Sequence, residues 1–386
     1  MPSRPLPGHS RRVLATVALG LALAGTTAGV ADAQGLRVVV GGLANPRGLT
    51  VGPGGQLYVA EAGSGGSGRC LPSPEGGAPQ CYGATGAITR VNVRTGRKRT
   101  VAGGLPSLAA QGQNAGGDAT GPHDVSFSGP VGYFTVGLGG PPASRSRLGA
   151  PGRRFAGLYR LDTSGRVRRV ADLGAYEAAN NPDAGQPSAT VDTNPFSVDA
   201  TRAGQILVTD AGVTASRSLP PAGKLSRLTV FPFGQTLAPP FLNQPPGTQI
   251  PYQPVPTGVA RGARGAIYVG QLTGFPFPAG AANVYRVRPG STPRVQGRNF
   301  TTIVDVASAP DGSLYVLQIS TGGLAAQDPG PGRVFHIALD GAVAEIAPDT
   351  LQEPTGIAVA PNGAVYVSNR GGSAGGGQIV RLPAGG

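Results

Sequence analysis

The stretch Pro354–Val367 reads PTGIAVAPNGAVYV, and it contains the repeated unit from which the fold of this chain is predicted. Two short apolar runs flank Pro361-Asn362-Gly363, and an Asn-Gly step supplies the positive φ angles of a tight hairpin turn. Five other segments have the same spacing: in each repeat an aromatic residue or a leucine comes ten positions after the third residue. The six repeats begin at Pro46, Pro122, Pro195, Pro256, Ile303 and Pro354.

A third strand is predicted after every hairpin, and in five repeats it contains an arginine. These arginines are Arg90, Arg160, Arg227, Arg286 and Arg381, and His336 takes the same place in the fifth repeat. In the third repeat the predicted third strand is Leu225–Leu228. A fourth strand usually follows another glycine turn. Four antiparallel strands repeated six times predict an all-β, six-bladed β-propeller with four-stranded antiparallel blades.

The sixth repeat reaches Gly386 after only three strands. Near the other end of the sequence, Leu36–Leu43 resembles the fourth strand Arg99–Leu105. The N-terminal strand is therefore predicted to complete the last blade and close the ring, which removes exposed sheet edges. On this basis residues 34–386 form a single propeller domain.

Residues 1–33 have the pattern of an export signal. Arg4, Arg11 and Arg12 form a basic start, an apolar stretch follows, and Ala31-Asp32-Ala33 has the form of a cleavage site. The Arg11-Arg12 pair leaves both the Sec route and the twin-arginine route open. We expect a secreted or periplasmic protein with no membrane span in the mature chain.

The formal net charge is +13, and all but two of the 32 basic residues are arginines. The sequence contains no basic cluster with interleaved aromatic residues, so nucleic acid is not an expected partner. Arginines scattered over the surface would keep the protein soluble and favour anionic partners.

Cys70 and Cys81 are the only cysteines, and both lie in a loop rich in glycine and proline. In an oxidising compartment the two are expected to form a disulfide bond that closes this loop. A zinc site would need more ligands than the loop offers.

The long connections of the predicted propeller fall on one face, because all of them join strands 2 and 3 or strand 4 and the next blade. At the inner mouth of that face, residues three positions beyond the aromatic mark should converge around the axis. The candidate ligand-binding residues are five of these together with His123 from the start of the second repeat: Glu61, His123, Asp210, Gln271, Gln318 and Asn369. Their oxygens suit a metal ion or a polar ligand, and a water-filled polar channel is the alternative.

His123 is the one histidine predicted at this mouth. It is a candidate general base or metal ligand, and a packing role is the alternative. His336 is expected to be structural. No Gly-x-Ser-x-Gly elbow or phosphate-binding loop is present, so covalent serine chemistry has no support. Catalytic residues therefore stay unassigned.

The chain resembles the ScyD/ScyE family of exported proteins over nearly all of the predicted mature sequence. The matching stretches are Asn45–Leu49, Leu57–Gly63, Thr120–Val125, Tyr176–Asp183, Asp192–Phe196 and Val269–Pro278. Of these, Tyr176–Asp183 and Gln271–Pro278 are the specific ones. The resemblance implies an exported propeller of undefined biochemistry.

More loosely, the repeats are similar to NHL and gluconolactonase-type propellers. In the latter family acidic and asparagine side chains at the central mouth hold a divalent cation. The nearest equivalents here by chemistry are Glu61, Asn194, Asp210 and Asn369, and calcium is the cation this resemblance implies.

Two functions follow from these observations. The first is a monomeric binding protein that takes a small molecule, a glycan or a protein on its long-loop face. The second is a cation-dependent hydrolase or lactonase that acts at the axial mouth. The missing catalytic constellation favours the first function, and the acidic and amide ring with His123 favours the second.

Overall fold

The computed structural model describes residues 35–73, 77–112, 115–186, 190–201, 203–212, 215–219 and 225–383. The predicted signal segment 1–33 and the predicted mature N-terminus, Gln34, lie outside the described residues. Within the described ranges, no helix is long and apolar enough to cross a membrane.

The described chain is built almost entirely of strands. In order they are β1 Arg37–Leu43, β2 Pro46–Val51, β3 Leu57–Glu61, β4 Cys70–Leu71, β5 Gln80–Val91, β6 Lys98–Ala110, β7 Pro122–Ser128, β8 Val131–Val136, β9 Gly157–Leu161, β10 Val167–Asp172, β11 Pro195–Ala200, β12 Ile206–Asp210, β13 Ala215–Leu219 and β14 Ser226–Val230. They continue with β15 Gly234–Leu237, β16 Gln249–Tyr252, β17 Pro256–Arg261, β18 Ile267–Gln271, β19 Ala282–Val287, β20 Arg294–Phe300, β21 Ile303–Ser308, β22 Leu314–Gln318, β23 Gly332–Ile337, β24 Val343–Leu351, β25 Gly356–Val359, β26 Val365–Asn369 and β27 Gly377–Arg381. The α-helix α1 covers Leu173–Asn180, and short 3-10 turns cover Pro53–Gly55, Pro142–Leu148, Ala150–Arg154, Pro240–Leu242 and Ala263–Gly265.

The predicted hairpins between first and second strands are present. Gly312 and Gly363 have φ angles of 92° and 80°, the left-handed region that glycine adopts without a steric penalty. Asp311 supports its turn, because its carboxylate accepts hydrogen bonds from the Ser313 amide and hydroxyl at 2.9 and 2.7 Å. Turn chemistry therefore sets the register of these hairpins.

Antiparallel four-stranded blades make up most of the molecule, which is an all-β propeller. The second sheet is β7–β10, the third β11–β14, the fourth β17–β20, the fifth β21–β24, and the sixth combines β25–β27 with β1. A separate two-stranded hairpin, β15–β16, leaves the ring between the third and fourth sheets.

The prediction of six four-stranded blades is wrong in number, because five sheets have that form. The first sheet has five strands, β2, β3, β5, β4 and β6. Its strand β5 is 12 residues long, so its first part pairs with β4 at Cys81 and Gln80 while its second part pairs with β3. The long strand β6 pairs along both parts.

The third sheet also differs from the prediction. Leu225–Leu228 was predicted as its third strand, but Ser226–Val230 is the fourth strand β14, and the third strand is Ala215–Leu219. The stretch ASRSL has no apolar alternation, so periodicity could not reveal it as a strand.

The hydrophobic core lies between neighbouring sheets. Six clusters of buried apolar side chains in the described part of the chain each join two adjacent sheets. One of them joins the sixth sheet to the first, through Leu43, Ile379 and Val59. Strand β1 pairs antiparallel with β27, and Arg37 faces Arg381. First strands of neighbouring sheets contact one another at the centre.

Cys70 and Cys81 form the predicted disulfide bond, which links β4 to the outer part of β5. Cys70 is exposed and the bond lies outside the six inter-sheet clusters. It therefore holds a loop and not the core.

We expect the double variant C70A/C81A to keep the fold and to lose less than about 3 kcal/mol of unfolding free energy, the chain-entropy value for a loop of this length. Urea denaturation of the oxidised protein and the variant measures the difference. Global unfolding of the variant would contradict a local role for the bond.

Candidate functional site

The predicted ring of polar residues lies at the ends of the second strands, and the structure shows what its side chains do. Glu61 Oε2 accepts a hydrogen bond from the Ala44 amide at 2.7 Å. Asp210 Oδ1 accepts one from the Asn194 amide at 2.6 Å. Each acceptor thus holds the backbone 16 or 17 residues earlier, just before the first strand of the same sheet.

Gln318 and Asn369 repeat this contact, since they accept hydrogen bonds from the amides of Thr301 at 2.9 Å and Gln352 at 2.8 Å. Gln271 departs from it, and its Oε1 accepts from the backbone and side-chain amides of Asn283. All of these side chains except that of Glu61, which is partly exposed, are buried. The ring therefore fastens loops to strands, a role that uses the same residue types as ligand binding.

The set Glu61, Asn194, Asp210 and Asn369 does not fit a calcium site. The second oxygens of the two acids are also engaged, by the hydroxyls of Thr89 and Thr193. Asn194 Oδ1 accepts from the Leu138 amide at 3.2 Å. Calcium needs six to eight oxygens directed at one point, whereas these oxygens are directed at separate donors. In the described ranges, no group of three or more His, Cys, Asp or Glu residues could hold a metal ion.

The second residues of the six repeats lie in the first strands or, for Thr355, directly before one: Arg47, His123, Phe196, Thr257, Val304 and Thr355. Several of them tie one sheet to the next. Thr355 Oγ1 donates to the Pro46 carbonyl at 2.6 Å, and Thr257 Oγ1 donates to the Ile303 carbonyl at 2.7 Å. The polar capacity of the two threonines is therefore used within the fold.

His123 is held in one protonation state and one tautomer. Its Nδ1 lies 3.1 Å from the Pro195 carbonyl oxygen, which can only accept, so Nδ1 carries the hydrogen. Burial, and then the positive charge of Arg47, lowers the His123 pKa to about 3, against the opposing effect of that hydrogen bond. At neutral pH the ring is uncharged, and Nε2 is an acceptor.

Gly137 makes room for this arrangement. A Cβ atom at Gly137 would overlap His123 Cε1 and Asn194 Oδ1. The other five sheets have a polar side chain at the position equivalent to Gly137. In the second sheet that side chain is absent, and the imidazole of His123 occupies the space. The ring of Phe196 packs against His123 with centroids 5.2 Å apart.

Arg47 carries the positive charge that acts on His123. Its Nη2 donates to the Ala119 carbonyl at 2.8 Å, and its Nε is buried without a hydrogen-bond partner in the part of the chain that the structure describes. Burial lowers the pKa of Arg47, and the carboxylates of Asp118 and Glu353 oppose that shift. Neither carboxylate forms an ion pair with Arg47 among the described residues. The sequence did not single out Arg47, because it does not show which arginines the fold partly buries.

A second tier lies one residue further along the first strands, at Gly48, Asp124, Ser197, Gly258, Asp305 and Gly356. Asp124 Oδ2 accepts from the Ser197 hydroxyl at 2.6 Å and the Val198 amide at 2.8 Å. Asp305 Oδ2 accepts from the Ile357 amide at 2.9 Å. Each aspartate therefore binds the sheet that follows its own.

The same two carboxylates fill space left by glycines on the preceding sheets. A Cβ at Gly48 would overlap Asp124 Oδ1, and a Cβ at Gly258 would lie 2.5 Å from Asp305 Oδ1. Burial raises the Asp124 pKa to about 7 against its hydrogen bonds from Ser197, Val198 and Val125. Burial, and then the charge of Asp124, raises the Asp305 pKa well above its ordinary value. Both aspartates border an axial cavity of about 230 Å³. Asp124 and Asp305 are visible in the aligned repeats, but the sequence does not indicate that their side chains are buried.

No family model matches the chain, and no curated protein matches its sequence. Solved structures do resemble it. A protein of unknown function from Bacteroides thetaiotaomicron has a TM-score of 0.54 at 10% identity, over 91% of this chain and 76% of that one. A protein described as a putative oxidoreductase (glucose dehydrogenase), from Thermus thermophilus, has a TM-score of 0.52 at 18% identity, over 90% and 100%.

A gluconolactonase from Xanthomonas campestris has a TM-score of 0.51 at 12% identity, over 90% of this chain and 89% of that one. The chain has a β-propeller fold. At these identities the likeness concerns the fold alone, so the general prediction of a gluconolactonase-like propeller architecture is confirmed. Membership of the ScyD/ScyE family stays a prediction.

Proposed function

We propose that this protein binds a small organic anion, such as a sugar acid, at the axial mouth of its long-loop face. The observation that supports the proposal is Arg47, a half-buried guanidinium whose Nε has no hydrogen-bond partner and which forms no ion pair within the described residues. A buried donor without a partner is costly, and an anionic ligand would supply the missing acceptor.

His123 gives this site its second contact. Because Nδ1 is held by the Pro195 carbonyl, Nε2 is left as a neutral acceptor for a hydroxyl group of the ligand. A cation for a carboxylate and an acceptor for a hydroxyl together suit a hydroxy acid. The proposed ligand-binding residues are therefore Arg47 and His123, and Glu61, Asp210, Gln271, Gln318 and Asn369 support the loops around them.

Catalysis at the same mouth is the second candidate, and one observation favours it. A neutral imidazole with a free Nε2 can accept a proton, and a neighbouring guanidinium can stabilise the negative charge that then develops on a substrate. Such a hydrolase or lyase would work without the calcium set, whose oxygens are engaged elsewhere.

Location and assembly belong to the same proposal. The disulfide bond suits an extracytoplasmic protein, as does the signal pattern of residues 1–33. We further propose that β1 closes the ring of sheets. The pairing of β1 with β27 and the Thr355–Pro46 hydrogen bond support this closure.

We expect Arg47→Gln to weaken binding of a small hydroxy acid by about 10- to 100-fold, the value of one or two hydrogen bonds to a charged group. Isothermal titration calorimetry with gluconate, citrate and lactate measures it. Arg94→Gln is the matched control, because Arg94 is exposed in a turn away from the mouth and its loss changes the net charge equally.

The pH dependence of binding gives an independent check. A histidine with an ordinary pKa near 6.5 would gain charge as the pH falls from 8 to 5, and would then bind anions more tightly. With its pKa lowered to about 3, His123 stays neutral over that range and should add no pH dependence of its own. The affinity for gluconate or lactate should therefore change with pH between about 5 and 8 by the same factor in the wild type and in His123→Gln, whatever the axial aspartates contribute. Failure of every acid in the panel to bind, or a gain in affinity on acidification that is at least tenfold larger in the wild type than in His123→Gln, would contradict the proposal.

A further inference from the structure

The arginines that recur in the repeats, four on third strands and Arg227 on a fourth strand, each have a partner that only the structure reveals. In five sheets an arginine of the third strand lies directly opposite an arginine of the fourth strand. The opposed pairs are Arg90 with Arg99, Arg160 with Arg168, Arg217 with Arg227, Arg286 with Arg294, and Arg381 with Arg37. In the fifth sheet His336 faces Ala344.

Opposed residues of an antiparallel pair point to the same side of the sheet with Cβ atoms about 5 Å apart, and like charges in this position are destabilising. In the first, second, fourth and sixth sheets, no ion pair among the described residues neutralises these arginines. No ion pair offsets the repulsion between the guanidinium groups in these four sheets, yet the arrangement recurs around the molecule. Such repetition of an unfavourable contact points to a ligand that bears negative charge.

Tyrosine extends four of these pairs into rows of three. Tyr58, Tyr133, Tyr268 and Tyr366 on the second strands lie directly opposite Arg90, Arg160, Arg286 and Arg381. The ring of Tyr58 contacts Phe127 of the second sheet, with centroids 4.4 Å apart. The first row therefore faces the neighbouring sheet, in the space where the outer strands of two sheets diverge.

That space is a cleft of about 250 Å³ between the first and second sheets. Arg90 and Arg99 line one wall, and the turn Asp162–Gly165 lines the other. Pro53 and Pro130, from turns between first and second strands, also border it, so the cleft opens on the face opposite the axial mouth. The carboxylate of Asp162 accepts hydrogen bonds from Ser164 and Arg166 of its own turn through Oδ1, and it forms no ion pair with Arg90 or Arg99 among the described residues.

We propose that these rows bind an acidic polysaccharide that carries uronate or sulfate groups. Each arginine pair offers two planar guanidinium forks, which match carboxylate and sulfate oxygens. Hydroxyl groups of Tyr58, Thr163 and Ser164 provide partners for sugar hydroxyls. Because the rows recur from sheet to sheet, one flexible chain reaches several of them and gains affinity from each.

The shape of the cleft favours a polysaccharide over other polyanions. A lipid bilayer presents a plane of headgroups, which does not enter a concave cleft between two sheets. Single-stranded nucleic acid binds by stacking its bases on open aromatic faces, and Tyr58 is only 8% exposed. A sugar chain with charged groups at its edge needs neither a plane nor an aromatic platform.

The test uses two double variants, R90S/R99S and R286S/R294S, with R94S/R153S as a control of equal net charge from exposed arginines outside the rows. Binding of polygalacturonate and of heparin to the full mature protein is measured between about 50 and 200 mM salt. Over this range, contacts between basic side chains and a polyanion weaken strongly. Neutral dextran, anionic phospholipid vesicles and a single-stranded oligonucleotide are compared in parallel.

We expect each pair variant to bind the acidic polysaccharides at least tenfold more weakly at low salt and with a shallower salt dependence, since fewer counterions are released. The control should change less than twofold. The melting temperature of the pair variants should stay equal or rise, because a repulsion is removed, so that weaker binding cannot result from unfolding. Arg47→Gln should leave this binding intact, which separates it from the function proposed for the mouth.

Equal losses in the control and the pair variants would overturn the proposal, because net charge alone would then explain binding. Tighter binding to the vesicles or the oligonucleotide than to either polysaccharide would overturn it in favour of that partner. Equal binding of dextran would show that the negative charge of the ligand is irrelevant, and would overturn it as well.

Discussion

Deletion of residues 36–43 should remove most of the stability of the whole propeller. These residues include all of β1; Leu36 is buried between the fifth and sixth sheets, and Val40 and Leu43 are buried between the sixth and the first. Burial of one such side chain contributes about 1.5–3 kcal/mol, so three contribute roughly 5–9 kcal/mol, a large part of the 5–15 kcal/mol that holds a typical domain together. The deletion also leaves β27 as an exposed edge.

Thermal unfolding measured by circular dichroism checks this expectation, and a synthetic peptide of residues 35–44 should restore part of the lost stability. The matched control replaces the hairpin between Gly234 and Tyr252 by a short Gly-Ser linker. This hairpin is longer than the deleted strand, but it forms its own two-stranded sheet, and Leu237 and Phe241 are exposed. A single sharp transition at the wild-type temperature after deletion of 36–43 would show that the ring does not depend on β1.

The protein should also be more stable at pH 5.5 than at pH 8. Asp124 and Asp305 should contribute to the difference, together with Asp192 and Asp199, whose pKa values burial raises to about 7 and about 6. Their folded-state pKa values are raised, that of Asp124 to about 7. A raised carboxyl pKa means that the folded protein binds more protons than the unfolded chain. Stability is then fully present below the unfolded value of about 3.8 and is lost as the pH rises through the folded value.

For Asp124 the shift corresponds to at most about 4 kcal/mol, at 1.36 kcal/mol for each pH unit. His123 acts in the opposite direction, because its pKa is lowered to about 3 and stability falls as the pH drops below about 6.5. The two effects together place the greatest stability in mildly acidic solution.

Urea denaturation of Asp305→Asn at both pH values measures the contribution of the aspartate pair. Asparagine retains an oxygen for the Ile357 amide but carries no charge, so the variant should lose much less stability between pH 5.5 and pH 8. Asp340→Asn is the control, since Asp340 is exposed in a turn. Identical pH profiles for wild type and Asp305→Asn would mean that the axial aspartates do not titrate in this range.

Local rules predicted the architecture well where the repeat carries them. Asn362-Gly363 and Asp311-Gly312 specify hairpins through backbone conformation, which depends on neighbouring residues alone. The prediction was wrong where pairing is set at long range. The sequence ASRSL becomes a strand because β12 and β14 lie on either side of it, and the first part of β5 is extended because β4 and β6 pair with it.

The candidate site was harder to predict, for a different physical reason. Glu61 and Asp210 each end the second strand of their sheet. In a sequence, however, an oxygen that accepts a hydrogen bond from a backbone amide and an oxygen that binds a ligand look identical. Arg47 matters because it is half-buried and Asp124 because it is buried, and burial depends on all neighbouring sheets together. The arginine rows were likewise invisible, because their members are separated along the chain.

Gly48 and Asp124 lie far apart in the sequence, but the close packing between them couples the effects of substitutions at the two positions. A methyl group at position 48 would collide with the Asp124 carboxylate, so alanine there is harmful while the aspartate remains. Once position 124 has lost its carboxylate, the same alanine fills a void. The sign of a substitution at one site thus depends on the residue at the other. Gly258 and Asp305 form an equivalent pair on the far side of the axis, so related sequences should change these letters two at a time.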